Sequence, residues 1–166
     1  MDDPEAPVLR ALEALGLPYQ RLDCDPEAAD TAAFCARYGF SAEESANTIL
    51  VASKKEPRRF AVCVVLASTS LDVNHKVREL LGVSRLSFAS AEETVRVTGM
   101  MVGGVTPFGL PAGLPVYVDQ RVMERPLVIL GGGGRSSKIR MAPEALRAAG
   151  AAVVEGLAYP REAARA

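Results

Sequence analysis

Residues 47–67 read NTILVASKKEPRRFAVCVVLA, and this stretch decides the fold. Two apolar runs rich in β-branched residues, 48–52 and 60–67, flank a polar segment that contains Pro57. Such runs favour strands, and the short polar segment between them favours an antiparallel hairpin. The second run is almost continuously apolar, so we expect that strand to be buried on both faces.

Helix-end signals lie on both sides of this predicted hairpin. Apolar residues at helical spacing precede Gly16, and glycine commonly follows the last turn of a helix. Two pairs, Ser41 with Glu44 and Ser90 with Glu93, match the capping box that opens a helix. Helices therefore combine with mixed strands along the chain, which predicts an α/β fold of the α+β type.

Length and composition fit a single globular domain. The chain has 166 residues, of which 49% are hydrophobic and 23% are charged. This is the usual balance of a folded domain. No repeat, low-complexity stretch or linker interrupts the chain, so we expect one domain over residues 1–155. The segment 156–166 shows no clear pattern, and we expect it to form a frayed tail.

Charge and cysteine content exclude several classes of protein. Nineteen Lys and Arg against 20 Asp and Glu give a net charge of −1. This charge argues against capture of nucleic acid by the whole surface but permits a local basic patch. One His and three Cys without a CxxC pair provide no metal site of usual spacing. The acidic start and the lack of an apolar run of about 18 residues predict a cytoplasmic protein without membrane contact.

Two glycine-rich segments are candidates for ligand binding. Residues 131–138, GGGGRSSK, do not match a phosphate loop of the Walker type, because the lysine follows the serines. Such a run can expose N–H groups to an anion, or it can be a tight connection between strands. Residues 103–109, GGVTPFG, can present backbone groups in a fixed orientation, or they can form a plain turn.

Two basic clusters could contact the phosphates of a nucleic acid. One of them, Lys54 to Arg59, lies at the tip of the predicted hairpin, and the other spans Arg135 to Arg140. Basic residues in a turn also simply improve solubility, so the hairpin tip has two interpretations at this point.

Four segments, taken in order, resemble the YbaK/EbsC family of free-standing editing domains, which are related to the insertion domain of bacterial prolyl-tRNA synthetase. They are Asp25-Pro26, Asn47 to Val51, residues 103–109, and residues 131–138 followed by a short strand and Pro143-Glu-Ala-Leu. The resemblance covers residues 8–150, and its most specific part is the GxxxP element from Gly103 to Pro107. It implies a mixed, strongly curved or barrel-like β-sheet flanked by helices, with no metal and no organic cofactor.

The resemblance implies a trans-acting deacylase that hydrolyses the ester between a wrong amino acid and the 3′ end of a tRNA. The partner would be the 3′ end of aminoacyl-tRNA, and an aminoacyl-tRNA synthetase is a second candidate partner. The catalytic positions would be Asn47, Gly103 and Gly104. The substrate-binding positions would be Thr48, Val105, Thr106, Pro107, Phe108, Gly109, Gly132, Gly133, Gly134, Arg135, Ser136, Ser137 and Lys138.

One position departs from the family pattern. The family has a lysine at the start of the central strand, where it contacts the reacting end of the substrate, and Asn47 stands there in this chain. An amide donates a hydrogen bond without a charge, and charge-assisted hydrogen bonds are about twice as strong. Lys138 could approach the same place from another strand.

Three functions are compatible with this departure. The chain could be a slow deacylase or one of altered specificity. It could also be a catalytically weak or silent protein that binds aminoacyl-tRNA or a nucleotide. The third alternative is a small-molecule binder that kept only the fold.

Overall fold

The computed structural model describes residues 3–161. The α-helices in this range are α1 (Ala6–Leu15), α2 (Thr31–Tyr38), α3 (Arg78–Leu81), α4 (Ala91–Thr98), α5 (Gln120–Met123) and α6 (Glu144–Ala148). The strands are β1 (Tyr19–Asp23), β2 (Ala46–Ser53), β3 (Phe60–Leu66), β4 (Thr69–Leu71), β5 (Leu86–Phe88), β6 (Val116–Asp119), β7 (Val128–Gly131), β8 (Ser137–Met141), β9 (Ala152–Val154) and β10 (Ala158–Pro160). A 3₁₀ turn at Pro26–Ala28 precedes α2, and a π-helical turn at Val73–Val77 precedes α3.

The largest sheet is built around the predicted hairpin. Its five strands follow the order β5-β2-β3-β6-β9. Strands β2 and β3 pair antiparallel, with Asn47 opposite Val65, whereas β3 and β6 run parallel. The hairpin prediction is therefore confirmed, and the residues of β3 after Phe60 are all buried, as its apolar composition predicted.

A second sheet of three strands, in the order β1-β8-β7, lies against the start of β2. The amide of Ile129 in β7 donates to the Glu44 carbonyl at 2.8 Å, and Ser45 forms an isolated parallel bridge with Ile129. The mixed sheets flanked by helices confirm the predicted fold class. The sheets of residues 3–161 do not close into one barrel, so barrel-like describes only their curvature.

Strand β3 separates two apolar cores because successive side chains of a strand point to opposite faces. Val64 and Leu66 belong to the larger core, which also contains Leu12 of α1. Cys63 and Val65 belong to the second core, beneath the π-helical turn and α3. The end of β2, residues 50–53, is buried, whereas residues 47–49 near its start remain partly exposed.

The predicted frayed tail is wrong for the residues that the structure describes. Strand β10 pairs antiparallel with β4, and Leu157 before it is fully buried in the second core. The Leu157 carbonyl also accepts a hydrogen bond from the Asp72 amide at 2.9 Å. Apolar burial and strand pairing both order this segment, although its short length gave no periodic signal. The predicted tail residues 162–166 lie outside the described range.

Only one of the two capping-box patterns opens a helix. Ser90 and Glu93 form the complete reciprocal pair at the start of α4, which confirms that prediction. Ser41 and Glu44 are hydrogen-bonded to each other, but the chain makes only a turn there before β2 begins. The predicted helix at Ser41 is therefore wrong, because pairing with β7 draws the chain into the sheet after a single turn. No helix among residues 3–161 has both the length and the apolar character that a membrane span requires.

Candidate active site

A pocket of about 460 Å³ lies where the start of β2, the loop before β6 and the start of β8 meet. This volume falls in the usual range for small-molecule sites. The residues around it are Asp30, Thr31, Ala46, Asn47, Thr48, Ile49, Leu50, Phe88, Ala89, Ala91, Thr94, Val102, Gly103, Val105, Gly131 and Lys138. Segments that are far apart in the sequence therefore share one concave surface.

The start of β2 contributes two polar side chains to the pocket. Thr31, in the first turn of α2, donates its hydroxyl to the Asn47 Oδ1 atom at 2.5 Å. This bond fixes the orientation of the Asn47 amide. Thr48 Oγ1 is buried and has no hydrogen-bond partner among residues 3–161. A buried hydroxyl without a partner is costly, so a ligand that bonded to Thr48 would gain that hydrogen bond.

The GxxxP loop packs directly on the four-glycine run. Gly133 donates its amide to the Gly104 carbonyl at 2.6 Å, and Met101 donates to the Gly133 carbonyl at 2.9 Å. A Cβ atom added to Gly104 would lie only 2.0 Å from the Gly134 carbonyl oxygen. The glycines are therefore needed for close backbone contact. This geometry favours the interpretation of residues 131–134 as a tight connection over that of an exposed anion loop.

Arg135 ties this glycine run to the segment before α2. Its Nε donates to the Pro26 carbonyl at 2.9 Å, and a terminal nitrogen donates to the Val102 carbonyl at 2.6 Å. The same nitrogen lies 3.3 Å from Asp30 Oδ1. Nε and one terminal nitrogen of the guanidinium are thus bonded within the protein, and they hold three segments together.

Lys138 is a buried cation at the edge of the pocket. Only 5% of the residue is exposed. Its ammonium donates to the carbonyl oxygens of Ala29 and Gly103, at 2.5 and 2.7 Å. It also lies 5.7 Å from the centre of the Phe34 ring, within the range of a cation–π contact. Burial lowers the pKa of Lys138 from its ordinary value, because desolvation disfavours the charged form.

The remaining residues named from the sequence lie behind or beside the pocket. Thr106, Pro107 and Phe108 are buried, and Phe108 belongs to the larger core. The Ser137 hydroxyl contacts the Glu5 carboxylate, and Ser136 is exposed. The candidates that line the pocket are Asn47, Thr48, Gly103, Val105 and Lys138, and those that do not are Gly104, Thr106, Pro107, Phe108, Gly109, Gly132, Gly133, Gly134, Arg135, Ser136 and Ser137.

Sequence reasoning missed several residues at the rim of the pocket. Asp30 and Thr31 form the N-terminal cap and first residue of α2, whereas the motif Asp25-Pro26 opens only the 3₁₀ turn before it. The Asp-Thr pair was the signal that could have located them, since both types are common at helix starts. Phe88 ends β5 and is 59% exposed, and its place beside the pocket follows only from strand pairing.

A second hollow, of about 820 Å³, adjoins the pocket. The two hollows share Asn47, Ile49 and Phe88. Tyr159 and Arg161 line its far side. The pocket and the second hollow therefore form one elongated surface, with Asn47 and the exposed ring of Phe88 between them.

The basic tip of the hairpin is partly engaged with the protein. Arg58 pairs with Glu93 of α4 at 2.5 Å, and Arg59 donates to the Leu81 carbonyl at 2.5 Å. Lys54 and Lys55 are exposed, and neither forms an ion pair within the described range. All four cations of the tip are exposed, and the two lysines are those whose side chains form no ion pair or hydrogen bond within residues 3–161. No group of three His, Cys, Asp or Glu residues is placed to hold a metal ion within residues 3–161.

Solved structures share this fold along nearly the whole chain. The crystal structure of hypothetical protein APE2540 matches with a TM-score of 0.82 and 28% identity, covering 92% of this chain and 99% of that chain. The structure of a proposed trans-editing enzyme for prolyl-tRNA synthetase matches with a TM-score of 0.78 and 25% identity. That match covers 93% of this chain and 97% of the other.

A curated relative shares part of the sequence. EbsC of Enterococcus faecalis, named as a proposed Cys-tRNA(Pro)/Cys-tRNA(Cys) deacylase, is 26% identical over 98 residues. That alignment covers 59% of this chain and 57% of EbsC, so it spans little more than half of the relative's length.

The family model for the aminoacyl-tRNA editing domain matches residues 25–149. This range covers most of the chain and includes the start of β2, the GxxxP loop and β8. The match confirms the resemblance that the ordered motifs indicated. This chain belongs to the aminoacyl-tRNA editing domain family.

Proposed function

We propose that this chain is a trans-acting deacylase that hydrolyses the ester between an amino acid and the 3′ end of a mischarged tRNA. The observation that carries the proposal is the shared pocket of Asn47, Gly103 and Lys138, in a chain of the editing domain family. The named activities of EbsC and of the trans-editing structure point in the same direction. The reaction adds water to the ester carbonyl and releases a free amino acid and a tRNA hydroxyl.

The polar groups of the pocket suit an aminoacyl group. The Asp30 side chain is 68% exposed at the rim, where its carboxylate could pair with the α-ammonium of the amino acid. The unpartnered Thr48 hydroxyl offers a second hydrogen bond. Leu50 and Val105 add apolar surface for the side chain of the amino acid. In this arrangement the ester lies between Asn47 and Lys138.

The second hollow would hold the next nucleotides of the 3′ end. Its continuity with the pocket through Asn47 and Phe88 supports this placement. An exposed aromatic ring can stack on any base, and such stacking is independent of sequence. Phe88 is therefore our candidate for the platform beneath a base of the tRNA end.

A binding protein without turnover is the second candidate function. The observation in its favour is that position 47 holds a neutral amide, whose oxygen accepts from Thr31, so that position supplies no charge to the reaction. A silent protein would bind aminoacyl-tRNA in the same pocket and leave the ester intact. Turnover separates the two functions.

The test is deacylation of a panel of mischarged tRNAs by the purified protein, compared with a variant whose pocket entrance is blocked. Ala91 is exposed at the start of α4 and lines the pocket, so Ala91→Trp should obstruct the entrance without disturbing either core. Its neighbour Glu92 is also exposed but does not line the pocket, which makes Glu92→Trp the matched control.

We expect the wild type and Glu92→Trp to deacylate at least one member of the panel. Ala91→Trp should lower kcat/KM on that substrate at least tenfold, while its melting temperature stays close to that of the control. Absence of turnover on the whole panel, together with binding of the charged tRNA, would support the silent protein instead.

A further inference from the structure

Lys138 is a buried charge that the fold does not pair with a carboxylate. Within residues 3–161 its ammonium forms no ion pair, and its two bonded partners are the neutral carbonyls of Ala29 and Gly103. A charge buried without an opposite charge costs free energy, and an apolar residue of the same size would often be as stable. This free-energy cost of burial indicates that the ammonium has a function other than stabilising the fold.

The geometry leaves one donor of Lys138 unused. An ammonium has three N–H donors and no acceptor, and two of them point to the carbonyls of Ala29 and Gly103. Those two acceptors also stabilise the charged form. Because Lys138 lines the pocket, the third N–H can serve a ligand that occupies it.

We propose that Lys138 is a catalytic residue of the deacylation, donating its third N–H to the carbonyl oxygen of the scissile ester. This inference rests on the proposed function and names the charge that acts in it. As the water oxygen bonds to the carbonyl carbon, the carbonyl oxygen gains negative charge, which the ammonium stabilises. The bond from that carbon to the ribose oxygen then breaks. The ribose oxygen takes up one proton of the water and becomes the tRNA hydroxyl, the other proton passes to solvent, the amino acid is released as its carboxylate, and Lys138 is unchanged.

This role accounts for the uncharged residue at position 47. Asn47 is held by Thr31, and Lys138 reaches the same pocket from β8 in the other sheet. A positive charge stabilises an oxyanion from either strand, provided that it is close and that water is excluded. The family resemblance implies a positive charge at position 47. In this chain Lys138 supplies that charge from β8, a strand that begins 90 residues after Asn47.

A purely structural role is the alternative. In that case Lys138 would only join the segment before α2 to the GxxxP loop through its two carbonyl partners. Its removal would then lower stability and leave the chemistry intact. The two roles predict different outcomes for the same substitutions.

The experiment measures kcat, KM and melting temperature on a substrate that the wild type deacylates. Lys138→Met should lower kcat about 10²–10³-fold, the usual loss for one preorganised donor. Adding Asn47→Lys to Lys138→Met should recover at least tenfold of this loss, because it returns a cation to the pocket from β2. Lys76→Met makes the same chemical change at a half-exposed site that lines neither hollow, and it should leave kcat unaltered.

A second readout does not depend on how well Lys138→Met folds. The charged and titratable groups around Lys138 are Asp30, Cys24, Cys35 and Arg135, and desolvation has the largest effect on its pKa. Because the pKa of Lys138 is lowered from 10.5, the charged ammonium is lost as the pH rises and before it reaches 10.5. We therefore expect kcat, corrected for spontaneous ester hydrolysis, to fall over the same range. Lys138→Arg should remove this fall, since arginine does not titrate there.

Two results would overturn the inference while leaving the proposed function standing. One is a folded Lys138→Met protein with wild-type kcat and a reduced melting temperature. The other is an alkaline profile of kcat that is the same for the wild type and Lys138→Arg. A wild type inactive on every mischarged tRNA would instead refute the proposed function, and the inference with it.

Discussion

Phe88 is the single exposed side chain on which the proposed path of the tRNA end can be tested. It is more exposed than any other large apolar residue of the described range, and it lies between the pocket and the second hollow. Its ring does not contribute to either apolar core. An exposed ring in this position costs little stability to remove, so its substitution tests binding separately from folding.

We expect Phe88→Ala to raise KM for the aminoacyl-tRNA by about fivefold or more. Stacking of a base on an aromatic ring is worth about 1–3 kcal/mol, and 1.4 kcal/mol is a factor of ten. Steady-state kinetics on the same substrate would measure the change, with kcat little affected. Val95→Ala is the control, because Val95 is 46% exposed on α4 and lines neither hollow. Equal KM values for the two variants would place the base elsewhere.

The sequence predicted Thr48 as a substrate-binding position, but it did not predict that the Thr48 hydroxyl is buried without a hydrogen-bond partner in the described range. Its neighbour in the family motif, Asn47, marks the start of the central strand. The burial of the Thr48 hydroxyl and its lack of a partner within residues 3–161 are visible only in the structure. A sequence pattern cannot show whether a buried hydroxyl has a hydrogen-bond partner, because that partner would come from a distant segment of the chain.

Among the elements, the contact between the GxxxP loop and the glycine run determines the wall of the pocket. Gly104 packs on Gly134 backbone to backbone, and backbone atoms cannot move aside as the end of a flexible side chain can. The φ angle of Gly104 is not in the left-handed region. The requirement for glycine at this position is therefore one of space.

We expect Gly104→Ala to separate the two segments and to abolish deacylation. The added Cβ would lie 2.0 Å from the Gly134 oxygen, and relief of the overlap would cost on the order of 1–3 kcal/mol in the free energy of unfolding. Urea denaturation and the deacylation assay measure the two effects.

Gly16→Ala provides the matched control for this substitution. Gly16 ends α1 with φ +68° and has no atom within 4 Å of an added Cβ. Its replacement strains the backbone by about 1–2 kcal/mol without touching the pocket. Full activity in Gly104→Ala would contradict the role of this contact in shaping the site.

The capping boxes show why local patterns predict some elements and miss others. Ser90 and Ser41 each have a glutamate three residues later, and both glutamates accept a hydrogen bond from their serine's backbone amide. Only Ser90 precedes a full helix. After Ser41 the chain is drawn into the sheet by Ile129, a residue 85 positions from Glu44. The motif sets the first turn, and long-range pairing decides whether that turn continues as a helix or leads into a strand.

At the scale of the whole molecule, a net charge of −1 means that the proposed binding of tRNA would depend on local basic patches. Six residues separate Asn47 from the end of β2, so the hairpin tip lies on the order of 20 Å from the site at about 3.3 Å per residue. The tip could therefore contact phosphates of the tRNA stem. All four cations of the tip are exposed, but Arg58 and Arg59 also bind Glu93 and the Leu81 carbonyl, so Lys54 and Lys55 are the two whose side chains have no protein partner within residues 3–161.

We expect tRNA affinity to fall with salt and the dependence to be shallow. Replacing Lys54 and Lys55 together by Gln should flatten the slope of log K against log salt by about one unit per lysine. Binding titrations at several salt concentrations would measure it. Arg10→Gln with Arg147→Gln changes the net charge equally on α1 and α6, and should alter the slope less. Equal slopes for both double variants would remove the hairpin tip from the interface.

The sequence by itself determined the hairpin, several of the helix ends and the order of motifs that indicated the family. These features depend on backbone preferences and on apolar patterns within a few residues, so they are local. Only the tertiary structure decided that Lys138 reaches the same pocket as Asn47, and that the glycine run supports the GxxxP loop. Those contacts join segments separated by tens of residues, and they arise from the packing of two sheets, in which every strand limits where the others can lie.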